Sequence, residues 1–166
     1  MLDALLSRVF GRALGATGSR LGALPLALIA FSVGLAAVAL IALHLYWVGL
    51  AAFLTSRIVW SLATHGRGTF AAAPVLEAVN FAGIPFGFAL ADPAVALAAV
   101  LMMFALSAQA TGKLKFGAGW VASAELSVAF AIACIFPGRF GLVAYIASVL
   151  CFVSAGVQVG ASGRSA

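Results

Sequence analysis

Apolar residues run along this chain in six long blocks, near 22–43, 46–63, 71–91, 94–110, 118–136 and 140–158. Each approaches or exceeds the roughly 20 residues with which a helix crosses the hydrocarbon core of a bilayer. The breaks between them carry turn and polar residues: His65-Gly66-Arg67-Gly68, Asp92-Pro93, Thr111 to Lys115, and Pro137-Gly138-Arg139. The junction at His44 to Tyr46 is fainter, and there Tyr46 and Trp47 fit an aromatic anchor at a membrane interface. Residues 21 to 56 contain no Asp, Glu, Lys or Arg. The pattern predicts an all-α, polytopic membrane bundle of six transmembrane helices over residues 21–159.

The segment ahead of the bundle has a different period. Leu2, Leu5, Leu6, Val9 and Ala13 recur at helical spacing, with Asp3, Ser7, Arg8 and Arg12 between them. Residues 1–20 are therefore expected to form an amphipathic helix lying in the interface, arginines toward anionic headgroups. Residues 160–166 read as a disordered tail.

Composition agrees with a membrane class: 65% of the 166 residues are hydrophobic and 8% charged, against about a quarter charged in soluble chains. The net charge of +5 marks topology rather than nucleic-acid binding, because the nine basic residues form no cluster. Arg8, Arg12, Arg20, Arg67, Lys113, Lys115 and Arg164 all fall on one side of a six-span chain, with Arg139 opposite. The positive-inside rule then places both termini in the cytoplasm. Cys134 and Cys151 lie in apolar runs and read as packing residues, with no disulfide or metal site expected.

Charge inside the blocks is rare. Glu77 is the only charged residue from Ala71 to Ala91, and the chain has four carboxylates in all. A carboxylate in such surroundings has to be paired, neutralised or put to use, since an isolated buried charge is very costly. Counted from the cytoplasmic breaks, Arg57, Glu77 and Glu125 lie at a common depth of roughly 10 Å, at about 1.5 Å per residue. A pair Arg57–Glu77 or Arg57–Glu125 that fixes helix register is one expectation. A polar cavity open to the cytoplasm is the other. Arg57, Arg67, Glu77 and Glu125 are the candidate site residues, with Arg57, Arg67 and Glu125 as substrate-binding candidates. The motif Gly83-Ile84-Pro85-Phe86-Gly87 offers a small-residue face for close helix packing or for dimerisation.

The stretch Glu77-Ala-Val-Asn-Phe-Ala-Gly-Ile-Pro-Phe-Gly-Phe-Ala-Leu-Ala-Asp-Pro93 resembles the third span of bacterial CDP-alcohol phosphatidyltransferases. Cys134-Ile-Phe-Pro-Gly-Arg-Phe-Gly-Leu-Val-Ala-Tyr145 resembles their link between fifth and sixth spans. The resemblance implies an interfacial helix followed by six spans, and a place in phospholipid biosynthesis. It also implies association with membrane lipids, a CDP-linked lipid among them, and assembly as a homodimer or with a related synthase. Enzymes of that family carry Asp-x-x-Asp-Gly-x-x-Ala-Arg and, further on, Gly-x-x-x-Asp-x-x-x-Asp. Their four aspartates hold divalent metal on the donor diphosphate, and the last is the general base.

Registered from Pro85, Glu77 takes the last aspartate position, Ala73 the third and Thr69 that of the glycine. Ser56-Arg57 matches the Asn-Arg that often precedes the first half, which puts Trp60 and Ala63 at the first two aspartates and Thr64 at the glycine. This register shortens the spacer, and without that gap Ala52 and Thr55 take the two positions. Either way three of four carboxylates are missing. His65 and Glu125 would make a poor replacement, since a hard cation needs several oxygen ligands.

Three functions follow: a catalytically lapsed relative that binds lipid or partners an active synthase; an active transferase using Glu77 as base; or a small transporter or structural membrane protein. No resident cofactor is expected for the first, whereas an active enzyme would use magnesium or manganese.

Overall fold

The computed structural model describes residues 22–64, 73–116 and 123–162, and every regular element among them is helical. The helices are α1 (Ala23–Ala42), α2 (Tyr46–Thr64), α3 (Ala73–Ala91), α4 (Ala96–Phe116), α5 (Ser123–Ile135) and α6 (Phe140–Ser162). Among the described residues, α1, α2, α4 and α6 are long and apolar enough to cross a membrane. The apolar parts of α3 and α5 are shorter, Val75–Ala91 and Glu125–Ile135. The 13 residues of α5 reach about 20 Å, against a hydrocarbon core of about 30 Å. The expected interfacial helix over 1–20 lies outside the described residues. Of the expected tail, 160–162 continue α6 and 163–166 lie outside.

Turn chemistry sets the helix ends. Asp92 caps the short 3-10 turn Pro93–Val95, its carboxylate accepting the Ala94 N–H at 3.0 Å, and this turn leads into α4. Pro137–Arg139 forms a second 3-10 turn between α5 and α6. Between α1 and α2 the chain reverses through His44, whose φ is +62°. Its N–H bonds the carbonyl of Ile41 and the Leu45 N–H that of Leu40, both at 2.9 Å. This is the Schellman arrangement, in which glycine is usual and a histidine bears the left-handed backbone less easily. The imidazole compensates by hydrogen bonding the Tyr46 hydroxyl at 3.0 Å.

The helices close a ring: α1 packs on α2 and α3, α3 on α4, α4 on α6, α6 on α5, and α5 on α2. Glycines permit the closest approaches. A Cβ on Gly87 would come 2.9 Å from the Val38 carbonyl oxygen, and one on Gly83 2.9 Å from the Val38 side chain. The small residues of α3 thus face α1 of the same chain. Aromatic rings fill the middle. Phe53, Phe81 and Phe130, from α2, α3 and α5, stand 5.8 to 6.1 Å apart, while Phe88 stacks on Phe140 at 4.1 Å.

Outward, the bundle shows apolar surface: Leu97 and Phe104 on α4 and Val149 on α6 are each more than 60% exposed. Soluble monomers rarely present such faces. This exterior fits a hydrocarbon surround.

Candidate functional site

Two of the ionisable residues, Arg57 and Glu77, lie toward the end where α2 finishes and α3 begins. Arg57 is seven positions before the end of α2, and Glu77 is in the second turn of α3. Arg57 donates from Nη2 to Glu77 Oε1 at 3.0 Å, with the two side chains 14% and 31% exposed. Of the two pairings expected, the structure makes this one. It is a single contact, not a two-pronged fork, so most of the five guanidinium N–H donors are not used by Glu77. Below it, Arg57 Cζ sits 4.6 Å from the centroid of Phe81. A cation over an aromatic face gains about 0.5–2 kcal/mol.

One turn away is a polar network. Ser56 Oγ donates to the Ala30 carbonyl oxygen at 2.8 Å and accepts from Asn80 Nδ2 at 3.0 Å. Because the hydroxyl proton is committed to Ala30, Ser56 can only accept from Asn80. The amide nitrogen must therefore face Ser56, which leaves Asn80 Oδ1 buried without a conventional partner. It lies where a Cβ on Gly34 would be, so the Gly34 Cα–H points at it. Such contacts are weak hydrogen bonds. Gly34 of α1 is in effect the seat of Asn80.

The α2 positions that the resemblance registers with the first two aspartates are apolar and buried. Trp60 is 5% exposed and Ala63 fully buried, in one cluster with Leu26, Ala27 and Ala30 of α1. Where the family pattern puts two metal-binding aspartates, the indole fills the space against α1. In the alternative register, Thr55 is exposed and its hydroxyl donates to the Ala51 carbonyl at 2.8 Å. The family's divalent metal does not fit these residues. Glu77 is the one carboxylate at a position that the resemblance registers with a metal-binding aspartate, it is engaged by Arg57, and among the described residues no three His, Cys, Asp or Glu side chains gather.

Glu125 is not brought to this pair. α5 begins at Ser123, so Glu125 sits in its first turn and is exposed, and among the described residues it forms no ion pair. There its charge complements the helix dipole. Arg67, His65 and Thr69 lie outside the described residues, and Ala73 is the first residue of α3. Asn80 and Gly34 were not marked by the sequence, where they are single small or polar residues in apolar runs. The two cysteines are buried as expected, Cys151 donating to Gln109 Oε1 at 3.2 Å.

The Arg57–Glu77 pair lends itself to a coupling experiment. Arg57→Ala leaves a part-buried carboxylate alone and is expected to cost about 2 kcal/mol, less than for a fully buried pair. Arg57→Ala/Glu77→Ala should cost less than the two single changes added together. Thermal unfolding in detergent, followed by labelling of the buried cysteines, reads the difference.

Comparison with known proteins gives no match, whether to family models, to curated proteins or to solved structures.

Proposed function

We propose that this chain is a non-catalytic relative of the CDP-alcohol phosphatidyltransferases that binds phospholipid in a bacterial-type inner membrane. In this account all six helices cross the bilayer and both termini are cytoplasmic. One observation carries the proposal: the positions that the motif assigns to two metal-binding aspartates are Trp60 and Ala63, packed against α1. Metal-assisted displacement needs a dense set of carboxylates to place the cation on the diphosphate. An indole in that space leaves neither ligands nor room.

What is kept is a cation for a phosphate. Arg57 sits over the Phe81 ring and is tethered by Glu77 through one contact. A guanidinium presented in this way suits the oxygens of a lipid phosphate, which accept two parallel N–H bonds. The chain would hold an anionic phospholipid or a CDP-linked lipid, alone or beside a catalytically complete synthase.

Arg57→Gln/Glu77→Gln replaces the ion pair by a neutral pair of similar shape. Purified in mild detergent and weighed intact by native mass spectrometry, the wild-type protein should retain phosphatidylglycerol. The double variant should retain about five-fold less, as expected for loss of an interaction near 1 kcal/mol. Equal retention by the two proteins, with both folded, would remove Arg57 from the site.

A further inference from the structure

The face formed by α5 and α6 carries a second feature, away from the Arg57–Glu77 pair. Between these helices runs an open groove of about 320 Å³, whose lining includes Glu125, Ala129 and Ile132 of α5 and Val143, Ala147 and Leu150 of α6. Ala129 and Ala147 leave space that larger side chains would fill. The helices run antiparallel through the turn at Pro137–Arg139, so Glu125 and Leu150 stand at one end and Ile132 and Val143 at the other. Seven residues separate the ends, a length of about 10 Å. The groove is therefore a slot sized for part of one extended hydrocarbon chain, opening on the apolar exterior.

Its polarity is one-sided. Glu125 is the only charged residue in either helix, since α6 contains none and α5 has no other. It is exposed at the groove end, in the first turn of α5. A carboxylate there repels an anionic headgroup and attracts a cationic one, more strongly near hydrocarbon than in water. From this charge complementarity we infer that the α5–α6 groove seats an acyl chain of a phospholipid whose headgroup carries a primary ammonium, with that ammonium on Glu125. The inference rests on the lipid-binding proposal and gives it a second, chemically distinct subsite. Arg57 takes a phosphate where the bundle is tied by an ion pair, and Glu125 takes an amine where the groove ends.

The test uses the full chain in bilayer discs of equal phosphatidylethanolamine and phosphatidylglycerol, with the lipids carried into native mass spectrometry counted. Wild type should carry phosphatidylethanolamine about five-fold in excess over its share, the ratio expected for one exposed charge pair. Glu125→Gln should bring the two lipids level. Ala147→Phe, which fills the slot, should lower phosphatidylethanolamine retention while leaving Glu125 in place. No excess in wild type, or an excess that survives Glu125→Gln, overturns the assignment. Dimers with no bound lipid at this face would do so too, making the groove a contact between copies. If Arg57→Gln/Glu77→Gln loses phosphatidylglycerol while Glu125→Gln changes nothing, the groove assignment fails and the parent proposal stands. The reverse pattern upholds the groove and removes Arg57 from lipid binding.

Discussion

Trp60→Asp, which places a carboxylate where the resemblance registers the first motif aspartate, is expected to unfold the bundle and not to create a site. Trp60 is 5% exposed among Leu26, Ala27, Ala30 and Ala63. Removing a buried tryptophan costs about 3–5 kcal/mol through lost transfer energy and the cavity left behind. A carboxylate placed there adds a desolvation penalty of several kcal/mol, which Arg57, three residues earlier on α2 and already paired with Glu77, would offset only in part. The sum rivals the whole stability of a typical domain, roughly 5–15 kcal/mol. Trp60→Phe, which keeps most of the apolar contact, should cost far less. Maleimide labelling of Cys134 and Cys151, 1% and 0% exposed, separates the outcomes: fast in the aspartate variant, slow in the phenylalanine one. Slow labelling of Trp60→Asp would mean that the space near α1 accepts a charge, as an open site would.

Gly34→Ala should have the second largest effect, because a single methyl would occupy the seat of the Asn80 carboxamide. Asn80 is 3% exposed and has no solvent to turn into without giving up its bond to Ser56. Leaving both amide ends unpaired in the interior costs about 1–3 kcal/mol for each group, and the overlap adds strain. We expect a loss of about 3 kcal/mol. The decisive partner is Asn80→Ala, which vacates the seat. Gly34→Ala/Asn80→Ala should be more stable than Gly34→Ala alone, a coupling that double-mutant cycles resolve when residues touch. If the two losses simply add, the methyl at 34 is not meeting Asn80.

Much of this architecture was legible in the sequence because breaks between membrane segments are chemical. Asp92-Pro93 and Pro137-Gly138-Arg139 read as turns and became the two 3-10 turns. Even the faint junction at His44 was placed correctly, though nothing in the pattern foretold a histidine at positive φ. The Arg57–Glu77 pair was one of two pairings that counting depth along helices allowed, since the rise per residue is fixed. Glu125 was counted from an apolar block starting near 118, and residues 117–122 of that block lie outside the described residues.

Facing could not be read. In helices apolar on every side, the residues toward lipid and those toward the core are chemically alike, and periodicity loses its signal. Leu97 is exposed and Met102 buried in one apolar run of α4. For the same reason the Ser56–Asn80–Gly34 network stayed hidden: it depends on which way three helices are rotated. The glycines at 83 and 87 had two possible uses, and their contact with Val38 of α1 answers for packing within the chain.

The most direct test of a lapsed site is CMP release. Purified protein in CDP-diacylglycerol micelles should release no CMP above background, with magnesium or manganese and with glycerol 3-phosphate, inositol or serine as acceptor. Turnover that requires metal and disappears in Glu77→Ala would contradict the account, since it would show that Glu77 serves as a base despite its contact with Arg57.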